Sequence, residues 1–254
     1  MDQFREQLIL LYDEMFEKID KFNRGSYNNI FLEAFRKYED LVLNIETYLE
    51  DIPREERKKK IDEIARILPV YVKEKITSLP DKERKSLEVN YNMNMVVYVL
   101  PILSYTHENY CEKVSKRIVE IWNEMKVTSL NIGYSTYESI AGGFKSKLCY
   151  ITTAVCEHQN KPDDCYELTS LRNYRDNYMM KTEEGKSLVE EYYNIAPAIV
   201  LMINMQPDAN KIYQKIQEHY INPCISFIEN EENEKCQGLY TEMVRSLQKK
   251  YLYS

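Results

Sequence analysis

The chain has 254 residues and a net charge of −7 at pH 7, with 44% hydrophobic residues and only six glycines. This length and hydrophobic content are enough to bury a substantial core. Glycine is needed in many tight turns, so its scarcity argues against a fold of many short strands. The negative charge disfavours nonspecific binding to nucleic acid, which needs a basic face to displace counterions.

Neither a targeting signal nor a membrane span is expected. The N-terminal stretch mixes acidic and basic residues through an apolar stripe, whereas a signal peptide has an uninterrupted apolar core. The longest apolar run, residues 95–103, contains Pro101 and is far shorter than the roughly 20 residues of a spanning helix. We therefore expect a cytoplasmic protein with reduced cysteines, because disulfides persist mainly in oxidising compartments.

Apolar residues that recur at spacings of three and four predict five helices in the first half of the chain. We predict them over residues 2–22, 27–50, 53–68, 80–104 and 107–125. Pro69 should break or kink the helix that reaches it, because proline removes a backbone hydrogen bond and clashes with the preceding turn. Residues 95–103 are apolar on nearly every side, so we expect them at the centre of the fold. The stretch 126–137 predicts a short strand or an ordered loop.

Six further helices are predicted in the second half, over residues 138–157, 165–181, 186–204, 209–220, a short segment from Asn222, and 232–251. Asp164 followed by Glu167 is typical of a capping box at a helix start. Gly185 should separate two helices, and Pro197 should kink the helix that contains it. The expected fold class is therefore all-α, a multi-helix bundle of about nine to eleven helices with little or no β structure.

Domain organisation follows from the absence of a long flexible linker or an internal repeat in the sequence. We expect a single α-helical domain over residues 1–254. Two packed sub-bundles, 1–105 and 138–254, are the alternative arrangement.

Three segments of the second half resemble the elements of a known family. They are CYITTA from Cys149, LRxYRD from Leu171 to Asp176, and a G…YYxxAP element from Gly185 to Pro197. In this order they are similar to the CFI-box domain of diverse bacterial and archaeal proteins, a family without an established biochemical activity. Tyrosine replaces the family's phenylalanine, threonine replaces an alanine, and Val-Cys follows where the family often has Ala-Tyr-Gly. The resemblance, over residues 149–200, implies a helical module.

Three of the six cysteines and one of the three histidines lie within residues 149–165. On one continuous helix the Cα atoms of Cys149 and Cys156 would be about 10.5 Å apart, too far for a disulfide. They would also be too far apart for one zinc ion, whose thiolate ligands lie roughly 3.8 Å from each other. Cys156, His158 and Cys165 span a helix end and a loop, where metal ligands can converge.

A metal site is therefore one of several interpretations of the cysteines. Zinc or an iron–sulfur cluster would be held by a subset of six residues, namely Cys149, Cys156, His158, Cys165, Cys224 and Cys236. The alternative is that the thiols are buried structural groups, since reduced cysteine behaves as a small hydrophobe. Thiol catalysis by Cys165 with His158 as the base is a third interpretation, which Asp163 and Asp164 oppose because their charge disfavours a thiolate.

Arg172, Arg175 and Asp176 are the other candidate site residues. Arg172 and Asp176 are four residues apart and can pair along a helix. Arg175 lies near an apolar stripe, and a partly buried arginine needs an acidic or carbonyl partner. These side chains either tie helices together or bind an anion or a partner protein.

Familiar enzyme signatures such as the P-loop, the Rossmann fingerprint, HExxH and GxSxG are missing from the sequence. We therefore assign no catalytic residue and lean against an enzyme. The expected role is structural or protein-interacting, with an unknown protein partner or a second copy of the chain, and without nucleic acid or a membrane span. The alternative is a redox or sensory protein that binds a metal or an iron–sulfur cluster at the cysteines.

Overall fold

The computed structural model describes residues 2–106, 109–145, 149–206 and 208–251. Within these ranges the chain is helical and contains no β-strand, which confirms the predicted all-α class. It divides into two compact units, Met1–Gly142 and Gly143–Ser254. Among the helices so described, none combines the length and the apolar character that crossing a membrane requires.

Eight α-helical segments lie in the described part of the first unit. They are α1 Asp2–Phe16, α2 Tyr27–Asp51, α3 Arg54–Ala65, α4 Ile67–Thr77, α5 Asp81–Asn94, α6 Leu100–Leu103, α7 Asn109–Glu124 and α8 Tyr137–Lys145, whose last residues belong to the second unit. A 3₁₀ turn, Ile19–Lys21, follows α1, and a π-helical segment, Met95–Val99, joins α5 to α6. All nine residues from Met95 to Leu103 are buried, so the apolar run lies in the core of this unit, in line with the expectation that it would be central.

In the second unit, the described residues form six further α-helices. They are α9 Tyr150–His158, α10 Tyr166–Asn177, α11 Glu183–Asn204, α12 Ala209–Ile216, α13 Asn222–Glu229 and α14 Asn233–Tyr251. A 3₁₀ turn, Met179–Lys181, precedes α11, and a π-helical segment, Gln217–Ile221, joins α12 to α13. The fourteen α-helical segments of the described ranges exceed the nine to eleven predicted, mainly because π turns divide two continuous helices.

Two prolines explain where the α-helical hydrogen bonding gives way to π-helical segments. Pro101 and Pro223 each follow a π segment by two residues. Neither proline has an N–H for the carbonyl four residues before it, and its ring clashes with that carbonyl. The chain responds by widening to i→i+5 bonds, so that the amides of Leu100 and Asn222 bond to the carbonyls of Met95 and Gln217.

A proline at a helix start has a different effect. Pro69 lies in the first turn of α4, where the missing N–H leaves no intrahelical bond unmade. The predicted break therefore occurs three residues earlier, at Arg66, between α3 and α4.

Two backbone carbonyls of the first π segment accept hydrogen bonds from side-chain hydroxyls. The Tyr27 hydroxyl donates to the Val97 carbonyl, the group that lacks a donor because of Pro101, at 3.0 Å. The Ser135 hydroxyl donates to the neighbouring Val96 carbonyl. This segment of the core is thus supported by α2 and by the chain that precedes α8.

Residues 126–136 form an ordered loop, one of the two outcomes predicted. The Asn123 side chain bonds to both the amide and the carbonyl of Ile132, each at 2.9 Å. Asn92 accepts hydrogen bonds from Trp122 Nε1 and Thr128 Oγ1 at 3.1 and 2.9 Å. These buried polar contacts hold the loop against α5 and α7.

Three local predictions in the second half are wrong. The predicted helix 138–157 is two helices, α8 and α9, and its residues 146–148 lie outside the described ranges. Cys165, rather than Asp164, is the N-cap of α10, and it makes no side-chain capping bond. Gly185 does not separate helices but lies in the first turn of α11, whose N-cap Thr182 accepts a hydrogen bond from the Gly185 amide at 3.0 Å.

Candidate functional site

The turn between α9 and α10 brings Cys156 and Cys165 together. The amides of Asn160 and Lys161 bond to the carbonyls of Glu157 and Cys156 at 2.9 Å each. This is the Schellman pattern, and Asn160 takes the left-handed backbone conformation that it requires, with φ of 55°. The turn reverses the chain, so that the Sγ atoms of Cys156 and Cys165 lie 3.3 Å apart.

Arg172 fixes the far side of the same turn. Its Nη2 bonds to the Asp163 carboxylate at 2.7 Å, and its Nη1 bonds to the Asp163 carbonyl at 2.8 Å. The predicted pair with Asp176 is not formed, because Arg172 reaches back over the start of α10 to this loop. Asp176 instead accepts two hydrogen bonds from Arg175. Arg172 is therefore placed to hold the segment that carries Cys165.

Glu167 completes a group of potential metal ligands. One oxygen of its carboxylate and the sulfur atoms of Cys156 and Cys165 all lie within 4.8 Å of one another. The Nζ of Lys161 bonds to Glu167 Oε1 at 2.5 Å. The sequence pointed to Glu167 only as a capping residue, because its approach to the sulfur atoms depends on the turn.

Burial and charge set the protonation of this group. Desolvation, together with a hydrogen bond from Cys165, raises the pKa of the Cys156 thiol to about 12. The hydrogen bond from Lys161 lowers the pKa of Glu167. At neutral pH the group therefore presents a neutral Cys156 thiol beside an ionised carboxylate.

His158 does not join the two sulfur atoms. Its Nδ1 lies 2.5 Å from Asn210 Oδ1, and its ring stacks on Tyr213 with the centroids 4.4 Å apart. His158, Lys161 and Glu167 all line one open polar pocket beside α12. The structure thus places the predicted histidine next to the group, packed against another helix.

Cys224 and Cys236 form a second pair, on α13 and α14. Both are fully buried, and Cys224 Sγ lies 3.9 Å from the Cys236 carbonyl, to which it donates. A hydrogen bond to Cys236, together with burial, raises the pKa of the Cys224 thiol. Neither residue belongs to the group of Cys156, Cys165 and Glu167. The six cysteines therefore do not converge on one site within the described ranges.

Cys149 lies apart from the other cysteines and lines a cavity. It is the N-cap of α9, and burial raises the pKa of its thiol. Leu171, Arg175 and Tyr192 line the same cavity. Each of the three segments that carry the family resemblance therefore contributes a side chain to one space.

The polar members of this cavity are held by neighbouring groups. Arg175 Nη1 donates to the Tyr193 hydroxyl at 2.7 Å, in addition to its contacts with Asp176. The Tyr192 hydroxyl accepts a hydrogen bond from the Ile151 amide at 2.9 Å. Arg175 thus links α10 to α11, which is the structural role that the sequence offered as one of two alternatives.

Searches of models of protein families, of curated proteins and of solved structures give no match to this chain. The resemblance to the CFI-box domain therefore stays a prediction from the residues.

Proposed function

We propose that the second unit binds a thiophilic divalent cation through Cys156, Cys165 and Glu167, with zinc as the ion to test. The observation that carries this proposal is the 3.3 Å separation of the two sulfur atoms beside the Glu167 carboxylate. In a tetrahedral zinc site, with Zn–S bonds of about 2.3 Å, the sulfur atoms lie roughly 3.8 Å apart. A separation of about half an ångström more is enough to admit the ion.

The ligand set favours zinc over an iron–sulfur cluster. Such clusters are generally held by four cysteine thiolates, whereas this group contains two sulfur atoms and one carboxylate. Three protein ligands would leave the fourth tetrahedral position open, as in zinc sites that exchange a ligand. This set therefore suits an ion that keeps one exchangeable ligand.

The neighbouring side chains suit such an ion. A carboxylate has two oxygen atoms, so Lys161 can hold Glu167 Oε1 and orient the second oxygen towards the metal. Cys165 is half-buried at the N-terminus of the twelve-residue α10. Cys156 is fully buried. The ion would therefore approach from the side of Cys165.

A bound ion would clamp the turn between α9 and α10. Residues 159–164 connect the two ligand-bearing helices, and Arg172 anchors them at Asp163. The function that we propose is thus a helical module whose α9–α10 turn is stabilised by metal. Thiolate ligands must stay reduced, so this function requires a reducing compartment such as the cytoplasm.

The test is metal binding by anaerobically purified full-length protein. We expect one zinc per chain by elemental analysis, and a thiolate-to-metal absorption band when cobalt replaces zinc. Cys156→Ser and Cys165→Ser should lose the ion, and Glu167→Gln should weaken its binding by at least the roughly 10- to 100-fold that loss of an outer-shell partner costs.

Cys111→Ser is the matched control. Cys111 is buried in the first unit, where its sulfur bonds to the Val42 carbonyl at 3.3 Å, so the serine removes a thiol that is remote from the group. This variant should bind zinc like the wild type. Wild-type protein that binds zinc no more tightly than the Cys156→Ser, Cys165→Ser double variant would show that the pair is only structural.

A further inference from the structure

The cavity lined by Cys149 has an apolar interior. Its wall includes five aliphatic side chains from α10, α11, α14 and the 3₁₀ turn before α11, namely Leu171, Met179, Leu188, Val189 and Val244. It measures about 610 Å³ including its open mouth. The lining therefore favours an apolar guest.

Two tyrosine hydroxyls that line the cavity are hydrogen-bonded to the protein backbone. The Tyr174 hydroxyl donates to the Asn233 carbonyl at 2.7 Å, and the Tyr192 hydroxyl accepts from the Ile151 amide. Burial keeps the Cys149 thiol neutral at physiological pH. A guest would therefore meet apolar surface in the interior, and Cys149 is not activated as a nucleophile.

The mouth of the cavity carries a cation. Arg245 of α14 lines the cavity and is exposed. Among the described residues its guanidinium has no hydrogen-bond or ion-pair partner. Arg175 and Glu191 line the same space as Arg245. Since Arg175 is already bonded to Asp176, Arg245 is the cation available to a ligand.

We propose that this cavity binds a single alkyl chain with an anionic head group, such as a medium-chain carboxylate. The chain lies between α10, α11 and α14, and the head group pairs with Arg245. The apolar interior selects the chain, and the cation at the mouth selects the sign of the head group. This site is separate from the thiol pair and does not depend on zinc.

Calorimetry of full-length protein with decanoate, decanol and decyltrimethylammonium, each below the concentration at which it aggregates, tests the proposal. We expect decanoate to bind most tightly and the cationic probe least tightly. Arg245→Glu should weaken decanoate binding by about fivefold or more, because it reverses the charge at the mouth. The same variant should bind decanol like the wild type.

Matched variants separate these effects from loss of fold. Lys211→Glu changes the net charge equally at an exposed position of α12 and should leave decanoate binding unchanged. Leu188→Trp fills the cavity from a half-buried wall position and should abolish binding while the circular dichroism spectrum is retained. The proposal is overturned if wild-type protein does not bind decanoate, or if folded Leu188→Trp binds it normally. Equal weakening of decanoate binding by Arg245→Glu and Lys211→Glu would also overturn it, because the head group would then not pair with Arg245.

Discussion

At the scale of single residues, the chemistry of the thiol pair depends on how deeply each sulfur lies. Cys156 is fully buried and Cys165 is half-buried, yet their sulfur atoms lie 3.3 Å apart. Burial penalises the charged form, so Cys156 stays protonated far above neutral pH. A metal must displace that proton before it can bind.

Zinc affinity should therefore rise with pH. The pKa of Cys156 is raised to about 12, so the thiol form dominates at every pH below that value, and binding releases at least one proton from it. We expect the apparent affinity to increase about tenfold per pH unit for each proton released. Competition with a chromophoric chelator between pH 6.5 and 8.5 measures this slope. An affinity that does not change with pH would mean that Cys156 does not bind the ion as a thiolate.

Gly185 is a second residue whose role depends on its surroundings. A Cβ atom at this position would lie 2.0 Å from the Met179 carbonyl oxygen, which is backbone and cannot easily move. Gly185→Ala should therefore destabilise the protein by about 1–3 kcal/mol through overpacking.

Gly238 provides the matched control on α14. A Cβ atom there meets nothing within 4 Å, so Gly238→Ala should stabilise the helix by about 0.5–1 kcal/mol. Urea denaturation of both variants, followed by circular dichroism, gives the comparison. If Gly185→Ala were no more destabilising than Gly238→Ala, the close contact at Met179 would be refuted.

At the scale of helices, the π segments show how the core accommodates proline. Pro101 deprives the Val97 carbonyl of its usual donor, and the Tyr27 hydroxyl replaces it. Tyr27 and Val97 lie 70 positions apart in sequence. A feature that looks local, a proline within an apolar run, is thus stabilised by a distant helix.

Tyr27→Phe should destabilise the first unit by about 1–3 kcal/mol, because it leaves the buried Val97 carbonyl without this donor. Tyr98→Phe is the control, since the buried Tyr98 hydroxyl has no hydrogen-bond partner among the described residues. Its removal should be neutral or slightly stabilising. Thermal unfolding compares the two variants, and equal losses of stability would rule out a special role for the Tyr27 bond.

At the scale of the whole molecule, the two units carry different features. The three segments that resemble the CFI-box domain, the thiol pair and the apolar cavity all belong to Gly143–Ser254. The first unit contributes a core of aromatic and aliphatic residues around Met95–Leu103. The structural or interacting role predicted from the sequence stays a prediction, and the metal and ligand proposals concern the second unit alone.

Hydrogen exchange of the full chain should show this division. Zinc should slow exchange of the backbone amides of α9, α10 and residues 159–164, because the ion bridges the ends of this turn. Helices α1 to α7 should exchange at the same rate with and without zinc. Mass spectrometry of peptides from the two units provides the measurement. Uniform slowing throughout the chain would contradict a local site.

The sequence by itself determined the helical class and most helix positions. Apolar spacing of three and four residues is a local signal, and it placed α2 and α14 within one or two residues of their observed ends. It also marked Cys156 and Cys165 as residues that a helix end and a loop can bring together. The Schellman turn was readable in principle from Asn160, a residue that tolerates the left-handed conformation.

Only the tertiary structure decided which side chains meet. Glu167 joined the thiol pair, and His158 turned to Asn210 and Tyr213, because the α9–α10 turn and the packing of α12 set their positions. Arg172 bonded to Asp163 rather than Asp176 for the same reason. Helical periodicity fixes the face on which a residue lies, whereas the distance between residues of different helices depends on turns and packing that spacing does not encode.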